Sequence, residues 1–487
     1  MIYNSFRNLI IFFIALFIVL LITEKSFAQS SELFVGVSEV DITPPVGYAQ
    51  YRGESTGIYD PLFAKAIVFQ QGDEQAALVV CDLISITRDF SIEVRTAASE
   101  LTGIPYANII VAATHTHTGP RYHAEINEYI ERKRSGEMRS EDENSYEAQL
   151  LQAVIESIVK ADQAAIQVIP ESGSAYAEGL AFNRRYIMKD GRVRFNPGVG
   201  NPDVIRPVGP VDPEVGIILF RRATDDHPTG SLTSFANHTD TVGGMEFTAD
   251  YPGYLARSLA NSMGDDFVSI FGMGTSGDLN HIDVIEASHQ EGSESVTQRI
   301  GESLAAAFKE EIPNLNRADN PLLAVRSEFI YAPLQEYTEE ELQWALKEES
   351  GLLYEERTFL KNMRKRKIRS LENMRSSGEA IPPTVGTGKW TLPVEVQVIQ
   401  VGENAAIVGL PGEVFVELGM AIKRNSPFET TLVVELTNSG IAYVPTKEAF
   451  AQGDYETVNS RLAAGGGELM VESAVRMLNE LNDILSH

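Results

Sequence analysis

The sequence predicts an α/β protein, a mixed β-sheet sandwiched by helices. Two observations support this class: apolar runs of strand length recur along the chain, and segments with helical spacing lie between them. Most runs are continuous rather than alternating, which is typical of strands covered on both faces. Strands interleaved with helices favour a sheet between helical layers. The predicted strands are 64–69, 76–81, 109–113, 215–220, 267–271, 394–401, 405–410 and 431–436, and the predicted helices are 90–101, 146–164, 295–310, 414–423 and 469–485.

One pair of predicted strands indicates that the sheet is not purely parallel. Residues 394–401 and 405–410 are separated only by Gly402-Glu403-Asn404. So short a connection containing glycine is typical of an antiparallel hairpin.

The N-terminus has the features of an export signal. Arg7 supplies a positive start, residues 9–22 form an uncharged apolar run, and Ser26-Phe27-Ala28 offers small residues for a signal peptidase. The run is shorter than the ~20 residues that a spanning helix needs. We expect residues 1–28 to be a cleaved signal peptide and the mature protein to be secreted or periplasmic, with an uncleaved anchor as the alternative.

Residues 29–487 are expected to form one large catalytic domain, because no long Pro/Gly/Ser linker divides them. A charged, helix-forming insertion at about 336–379 departs from the strand–helix pattern. Acidic residues come first and basic residues follow, which favours a solvated helical hairpin over a lid or a membrane-facing patch.

The net charge and the cysteine content limit the partners and the bonds that this chain can form. The chain has 487 residues and a formal net charge of −28, which repels nucleic-acid phosphates and excludes that class of partner. Its only cysteine, Cys81, lies in an apolar stretch, so no internal disulfide can form and a buried position is expected.

The first candidate site follows the predicted strand 109–113. The strand runs into His115-Thr116-His117, and Gly119-Pro120 then interrupts it. In an extended chain, residues two apart project to the same side, and ligands of α/β sheets bind at such strand ends. Imidazole is a common zinc ligand. The spacing leaves open whether one histidine or both bind metal, or whether they only cap the strand.

Three further segments carry candidate groups. His238 follows a short apolar segment in a similar context, and Glu413 follows Pro411-Gly412 where a helix is predicted to begin, a position that favours a carboxylate in any case. Ser276 lies in a glycine-rich turn, but a nucleophile elbow requires glycine where Asp278 stands. A serine esterase is therefore disfavoured.

Together, these segments resemble the neutral (non-lysosomal) ceramidase family of zinc amidohydrolases. The resemblance covers nearly all of the mature chain, from residue 37 to residue 456. Its motifs are 37–47, 60–66, 114–120, Asn183-Arg184, Asn196-Pro197, 235–238, Gly277-Asp278, 411–413 and the tyrosine pair Tyr443 and Tyr455.

The resemblance implies a catalytic centre. It assigns Zn²⁺ as the cofactor, with His115, His238, Glu413 and Tyr443 as the ligands. It assigns His117 to binding the reacting amide, and Arg184 and Tyr455 to substrate binding and oxyanion stabilisation. The implied reaction is attack on an acyl carbon by a water whose pKa zinc lowers to about 7, with the tetrahedral oxyanion stabilised by donors around it.

Two departures from the family pattern bear on the substrate. Asn280 stands where the family has a serine, so a mechanism that needs that serine cannot operate. The chain also ends soon after Tyr455, and we expect the β-sandwich domain of longer members to be absent. We therefore expect hydrolysis of an N-acyl amide of a small molecule or a ceramide-like lipid, with peripheral membrane contact as a further expectation. The alternatives are a non-catalytic binding protein on the same fold and a hydrolase or esterase for a non-lipid substrate.

Overall fold

The computed structural model describes residues 32–286, 293–318, 321–347, 356–383 and 388–484. The expected signal peptide lies outside these ranges. Within them, none of the helices combines the length and the apolar character needed to cross a bilayer.

The larger of two principal sheets contains nine strands of mixed direction. The first and last strand pairs along its main path are parallel, and the other pairs are antiparallel. Its strands, in spatial order, are Val268–Met273, Pro228–Phe235, Glu214–Arg222, Ile166–Tyr176, Leu33–Asp41, Phe63–Gln71, Glu74–Cys81 and Ile109–Ala113, with Asn316–Arg317 paired beside Ile166–Tyr176.

A second sheet of four strands packs face to face on the first. The layer between them is apolar and includes Phe69 and Phe220 from the large sheet and Ile399 and Leu432 from the small one. The strands of the second sheet, in order, are Leu323–Pro333, Thr391–Val401, Ala405–Gly409 and Thr430–Val434.

Helices cover the outer face of each sheet, which gives a four-layer α/β/β/α arrangement. One helical layer shares a core with the large sheet and the other with the small sheet. The longer helices are Arg88–Thr102, His123–Ser135, Tyr146–Gln163, Tyr251–Met263, Ser293–Glu311, Glu356–Ser376, Val416–Asn425 and Gly466–Ile484, and the short ones are Glu339–Leu346, Lys447–Gln452 and Tyr455–Asn459. Short strands at the rim of the sandwich are Ala49–Gln50, Gly53–Glu54, Gly57–Ile58, Phe182–Asn183, Arg185–Met188, Val193–Phe195, Val204–Pro207, Glu246–Phe247, Leu279–Asn280, Glu413–Val414 and Tyr443–Val444.

The predicted fold class, a mixed sheet with helices on its faces, is confirmed, and the second sheet is an addition to it. The predicted hairpin is present, with Thr391–Val401 antiparallel to Ala405–Gly409. Four long strands were not predicted: Leu33–Asp41, Ile166–Tyr176, Pro228–Phe235 and Leu323–Pro333. Each carries partly exposed or polar residues along its length, so none forms the continuous apolar run that signals a fully covered strand.

The charged insertion forms two helices, Glu339–Leu346 and Glu356–Ser376. The second, called the insertion helix below, is not only solvated. Leu371 is fully buried in the core beneath the small sheet, and Arg366 and Met374 face a cleft described below. The prediction of a solvated hairpin was therefore incomplete, because one face of the helix is a wall of that cleft.

Four strands from the two sheets end at one edge of the sandwich. Residues that follow Ile109–Ala113 and Pro228–Phe235 meet residues that follow Val268–Met273 and Ala405–Gly409. This edge carries the candidate site.

Candidate metal centre and active site

His115 is turned inward immediately after its strand. Its backbone has φ 68°, a left-handed conformation that is uncommon for a non-glycine residue and clusters at functional sites. The imidazole is buried, and its Nδ1 lies 2.6 Å from the carbonyl oxygen of Ile84. A carbonyl only accepts, so Nδ1 carries the proton and Nε2 presents a lone pair.

His238 reaches the same point from the neighbouring part of the sheet. It is fully buried, and its Nδ1 lies 2.9 Å from the carbonyl oxygen of Ser276. By the same argument its Nε2 also presents a lone pair.

The two Nε2 atoms lie 3.1 Å apart. Two lone pairs cannot form a hydrogen bond with each other, so a contact this short suits an electrophile shared by the two nitrogens. The Oε2 of Glu413 lies 3.5 Å from each Nε2 and has no hydrogen-bond partner among the described residues, although it is buried. Three acceptor atoms thus face one point.

These distances fit a metal ion. Ligand atoms at about 2.0–2.1 Å around a tetrahedral ion lie about 3.3 Å from one another. A backbone carbonyl on the far nitrogen of each imidazole is also a usual feature of ligating histidines. Imidazole and carboxylate suit several transition metals, so the donor set indicates a metal without fixing its identity.

Tyr443 lies beside Glu413, because Glu413–Val414 and Tyr443–Val444 form a two-residue parallel bridge with these two residues in register. The tyrosine is buried. Burial, and the charge of Glu413, raise its pKa well above the usual range. A cation in the site would reverse that shift, because a bound metal favours the deprotonated oxygen.

His117 contributes a third imidazole. Its Nε2 lies 3.3 Å from the Nε2 of His115, and one ring nitrogen from each of His115, His117 and His238 falls within 4.8 Å of the others. Burial and the neighbouring His115 lower its pKa to about 3, so this imidazole is neutral at ordinary pH. The structure brings both histidines of the His-Thr-His segment to the site.

Arg184 is buried against this cluster. Its Nε donates to Glu456 at 3.0 Å, its Nη2 donates to the carbonyl of Gly277 at 2.6 Å, and its Nη1 lies 3.2 Å from Nε2 of His238. Burial would lower the pKa of this guanidinium, but nearby Tyr443 and Glu456 raise it, so the arginine stays charged.

Tyr455 begins a short helix beside Tyr443, with 5.3 Å between the ring centroids. Phe359 of the insertion helix stacks on its other side at 5.3 Å. Burial raises the pKa of the Tyr455 phenol, so it retains its proton and can donate a hydrogen bond.

These residues border a cleft of about 540 Å³. His115, His117, Glu413, Tyr443 and Tyr455 line one side of it, and residues of the insertion helix line another. Every predicted site residue therefore lies in the cleft or, for Arg184 and His238, directly behind its wall.

Ser276 and Asn280 do not face a substrate. Ser276 is fully buried, and its hydroxyl donates to Glu435 at 2.7 Å, so it is a structural turn residue, as predicted. The amide of Asn280 is also engaged: its Nδ2 donates to Asn196, and its Oδ1 accepts from the backbone of Ile282.

Two carboxylates that the sequence analysis did not single out support the site. Glu435 accepts from Ser276 and from the backbone N–H of Val414, so it ties the turn that holds His238 to the strand that carries Glu413. An acid within the apolar run 431–436 is itself a signal of a bonded, buried carboxylate. Glu456 holds Arg184 and Arg185, and nothing in its local sequence predicts this role.

The fold and site define a class: an α/β protein with a buried His–His–Glu cluster suited to a transition metal, open to a substrate-sized cleft. The chain belongs to the neutral/alkaline non-lysosomal ceramidase family, a family of amide-bond hydrolases. The model of its N-terminal region matches residues 33–282, just over half of the chain. That range contains His115, His117, Arg184 and His238, whereas Glu413, Tyr443 and Tyr455 lie beyond it.

Solved structures agree on the fold. Neutral ceramidase from Pseudomonas aeruginosa is 17% identical over 93% of this chain and 75% of its own, with a TM-score of 0.66. A ceramidase complexed with C2 is 16% identical, with the same coverage of both chains and a TM-score of 0.66. At these identities the likeness concerns the fold.

Proposed function

We propose that this protein is a zinc-dependent amidohydrolase that cleaves the N-acyl bond of a ceramide-like lipid. The observation that carries the proposal is the meeting of three acceptor atoms, the Nε2 atoms of His115 and His238 and Oε2 of Glu413, while Nδ1 of each imidazole donates to a backbone carbonyl. Family membership supports the amide bond as the target.

His115, His238 and Glu413 would hold the ion, with Tyr443 as the fourth ligand. When bound, zinc lowers the pKa of water to about 7 and polarises a carbonyl oxygen. The backbone carbonyls of Ile84 and Ser276 hold each imidazole in the tautomer that leaves Nε2 available.

Arg184 and Tyr455 would stabilise the oxyanion that develops on the acyl carbonyl. Nε2 of His238 has one lone pair, so when it is a ligand, Nη1 of Arg184 is left to donate elsewhere. Glu456 and the carbonyl of Gly277 keep the rest of the guanidinium fixed during this exchange. Neutral His117 would bind the reacting amide by a hydrogen bond from the same cleft wall.

We also propose that residues 29–487 act as one catalytic unit after export. The N-terminal segment supports export by its charge and apolar length. The shared apolar layer between the two sheets supports one unit, because ligands from both parts of the chain meet at its edge.

The test combines metal analysis with a substrate panel. Purified protein should contain one equivalent of zinc and hydrolyse ceramide or N-acylethanolamine, and chelation should abolish this activity, which added zinc should restore. A protein without stoichiometric metal, or with activity that survives chelation, would contradict the proposal. Stoichiometric zinc without turnover on any amide or ester would favour the binding-protein alternative.

The serine esterase alternative has its own control. Ser276→Ala should retain esterase and amidase activity if the fold is intact by circular dichroism. Loss of activity in a folded Ser276→Ala protein, together with resistance to chelators, would instead support a serine nucleophile.

A further inference from the structure

Arg461 lies in the wall of the cleft without a carboxylate partner. Its side chain is more than nine-tenths buried. Its Nε donates to Ser370 at 3.2 Å, and its Nη1 donates to Oδ1 of Asn459 at 2.8 Å and to the backbone carbonyl of Asn459. Its Nη2 has no hydrogen-bond partner in the described part of the chain. The guanidinium group of Arg461 is thus held in place through Nε and Nη1, and its Nη2 can donate to another acceptor.

The acids in the same cleft are engaged elsewhere. Oε2 of Glu413 faces the two histidines, and Asp89 forms an ion pair with Arg134 at 2.7 Å. Glu379 is influenced by Arg88 and Asp89, not by Arg461. Glu413 acts on Arg461 only through its charge and not through a contact. Among the described residues, Arg461 therefore forms no ion pair, and a buried charge without a paired counter-charge is unfavourable.

A second arginine adds to this charge. Arg366 projects from the exposed face of the insertion helix into the cleft and forms no ion pair with any described residue. Burial, and then the nearby Arg366, lower the pKa of Arg461 to about 10, so the Arg461 guanidinium is still charged at neutral pH. Two like charges are held together in a chain whose net charge is −28.

We propose that Arg461 and Arg366 form a subsite for an anionic group on the lipid amide. This rests on the proposed function, because the anion is taken to belong to the molecule whose amide bond lies at the metal centre. Guanidinium groups bind phosphate, sulfonate and carboxylate oxygens through paired N–H donors. The substrate class is then an anionic N-acyl lipid, with a phosphate or sulfonate on the amine side, in preference to neutral ceramide.

The first test uses ligands without an amide bond, so that it does not depend on hydrolysis. Sphingosine 1-phosphate and sphingosine differ only in the phosphate, and their affinities for the full chain are measured by titration calorimetry. We expect the phosphorylated compound to bind at least tenfold more tightly. This ratio should fall towards one in Arg366→Met and in Arg461→Met.

Arg88→Met is the matched control. Arg88 borders the same cleft but has Glu379 beside it, so its removal should leave the ratio unchanged. Equal affinities for the two compounds in the wild-type protein would overturn the proposal. A ratio that persists in Arg366→Met, or that falls equally in Arg88→Met, would overturn it too. Arg366 is exposed, so its variant remains informative even where Arg461→Met fails to fold.

The second test distinguishes the kind of anion and the dependence on the proposed function. The kcat/KM values are compared within two pairs of substrates, each with one anionic and one neutral member. The first pair is N-palmitoyl taurine and N-palmitoylethanolamine, and the second is ceramide 1-phosphate and ceramide. A preference for the anionic member of either pair, lost in Arg366→Met, supports the subsite and shows which anion it takes. Hydrolysis of all four without preference overturns the subsite and leaves the amidohydrolase intact. If none is hydrolysed, the amidohydrolase proposal fails, and the calorimetric comparison still decides the anion subsite.

Discussion

At the scale of single residues, the site depends on two imidazoles fixed in one tautomer. Replacing either removes a ligand from a point where Oε2 of Glu413 has no hydrogen-bond partner among the described residues. His115→Ala and His238→Ala should therefore lose bound metal and activity together, which elemental analysis and an amide hydrolysis assay would measure.

His123→Ala is the matched control for these variants. His123 borders the same cleft, but its Nε2 lies beside Ser85 rather than the metal point. This variant should keep its full metal content. Retention of stoichiometric metal in both His115→Ala and His238→Ala would exclude the assigned ligands.

The groups around the oxyanion should behave differently from the ligands. Arg184→Ala and Tyr455→Phe should retain the metal and reduce kcat by about 10²–10³, which is the usual effect of removing one oxyanion donor. Single-turnover kinetics on a neutral N-acyl amide would measure this. Rates equal to those of the wild type would refute the roles.

Glu456 is a positioning residue between two buried arginines. Its oxygens accept from Arg184 and Arg185, and all three side chains are buried. Glu456→Gln leaves two charges with one neutral amide, so we expect a loss of about 3–5 kcal/mol in the free energy of unfolding. Urea denaturation would measure the loss.

Glu448→Gln provides the comparison. Glu448 is exposed on the preceding short helix, where a charge change should alter stability by less than about 0.5 kcal/mol. Equal stability of both variants would contradict the structural role of Glu456. A fall in kcat in folded Glu456→Gln, with KM little changed, would show that it also orients Arg184.

At the scale of elements, the glycine-rich turn after Val268–Met273 brings two parts of the chain into contact. A Cβ on Gly277 would lie 2.5 Å from the backbone oxygen of Glu413. Gly277→Ala should therefore displace the strand that carries Glu413 and weaken metal binding, measured as a higher zinc dissociation constant. Gly243 is exposed, with no atom closer than 3.5 Å to an added Cβ, and Gly243→Ala should bind zinc normally.

The strand ends were predictable because their chemistry is local. A buried run leading directly into His115 marks both the strand and the site, and the same holds for His238. The role of Glu413 was harder to predict from the sequence, since a carboxylate at the start of a helix is favoured by the helix dipole alone. Its side chain is directed to the histidines by the bridge to Tyr443, which is a contact between distant segments that no local pattern contains.

The insertion helix shows the limit of charge patterning. Its basic residues correctly predicted a helix with a solvated face. Which of those residues turn towards a cleft depends on packing against the small sheet, where Leu371 anchors the helix. The local sequence has no information about that partner.

At the scale of the whole molecule, continuous apolar runs identify strands that lie inside the sandwich. They do not show that the strands divide between two sheets, because a strand covered by a helix and one covered by another sheet have similar sequences. The order of the strands depends on long-range pairing, such as Ile166–Tyr176 between Leu33–Asp41 and Glu214–Arg222. These pairings are set by the packed core rather than by any one segment.

The four proposed ligands come from two separate parts of the chain: His115 and His238 from the part that the family model matches, Glu413 and Tyr443 from the part beyond it. An ion bound by all four would cross-link the chain from His115 to Tyr443 and close a long loop. Such a closure restricts the conformations of the unfolded chain. Metal would then bind only when both parts have assembled, so metal affinity and folding would be thermodynamically linked. The metal available to the exported protein would thereby help to determine how much of it survives proteolysis, as well as how much of it is active.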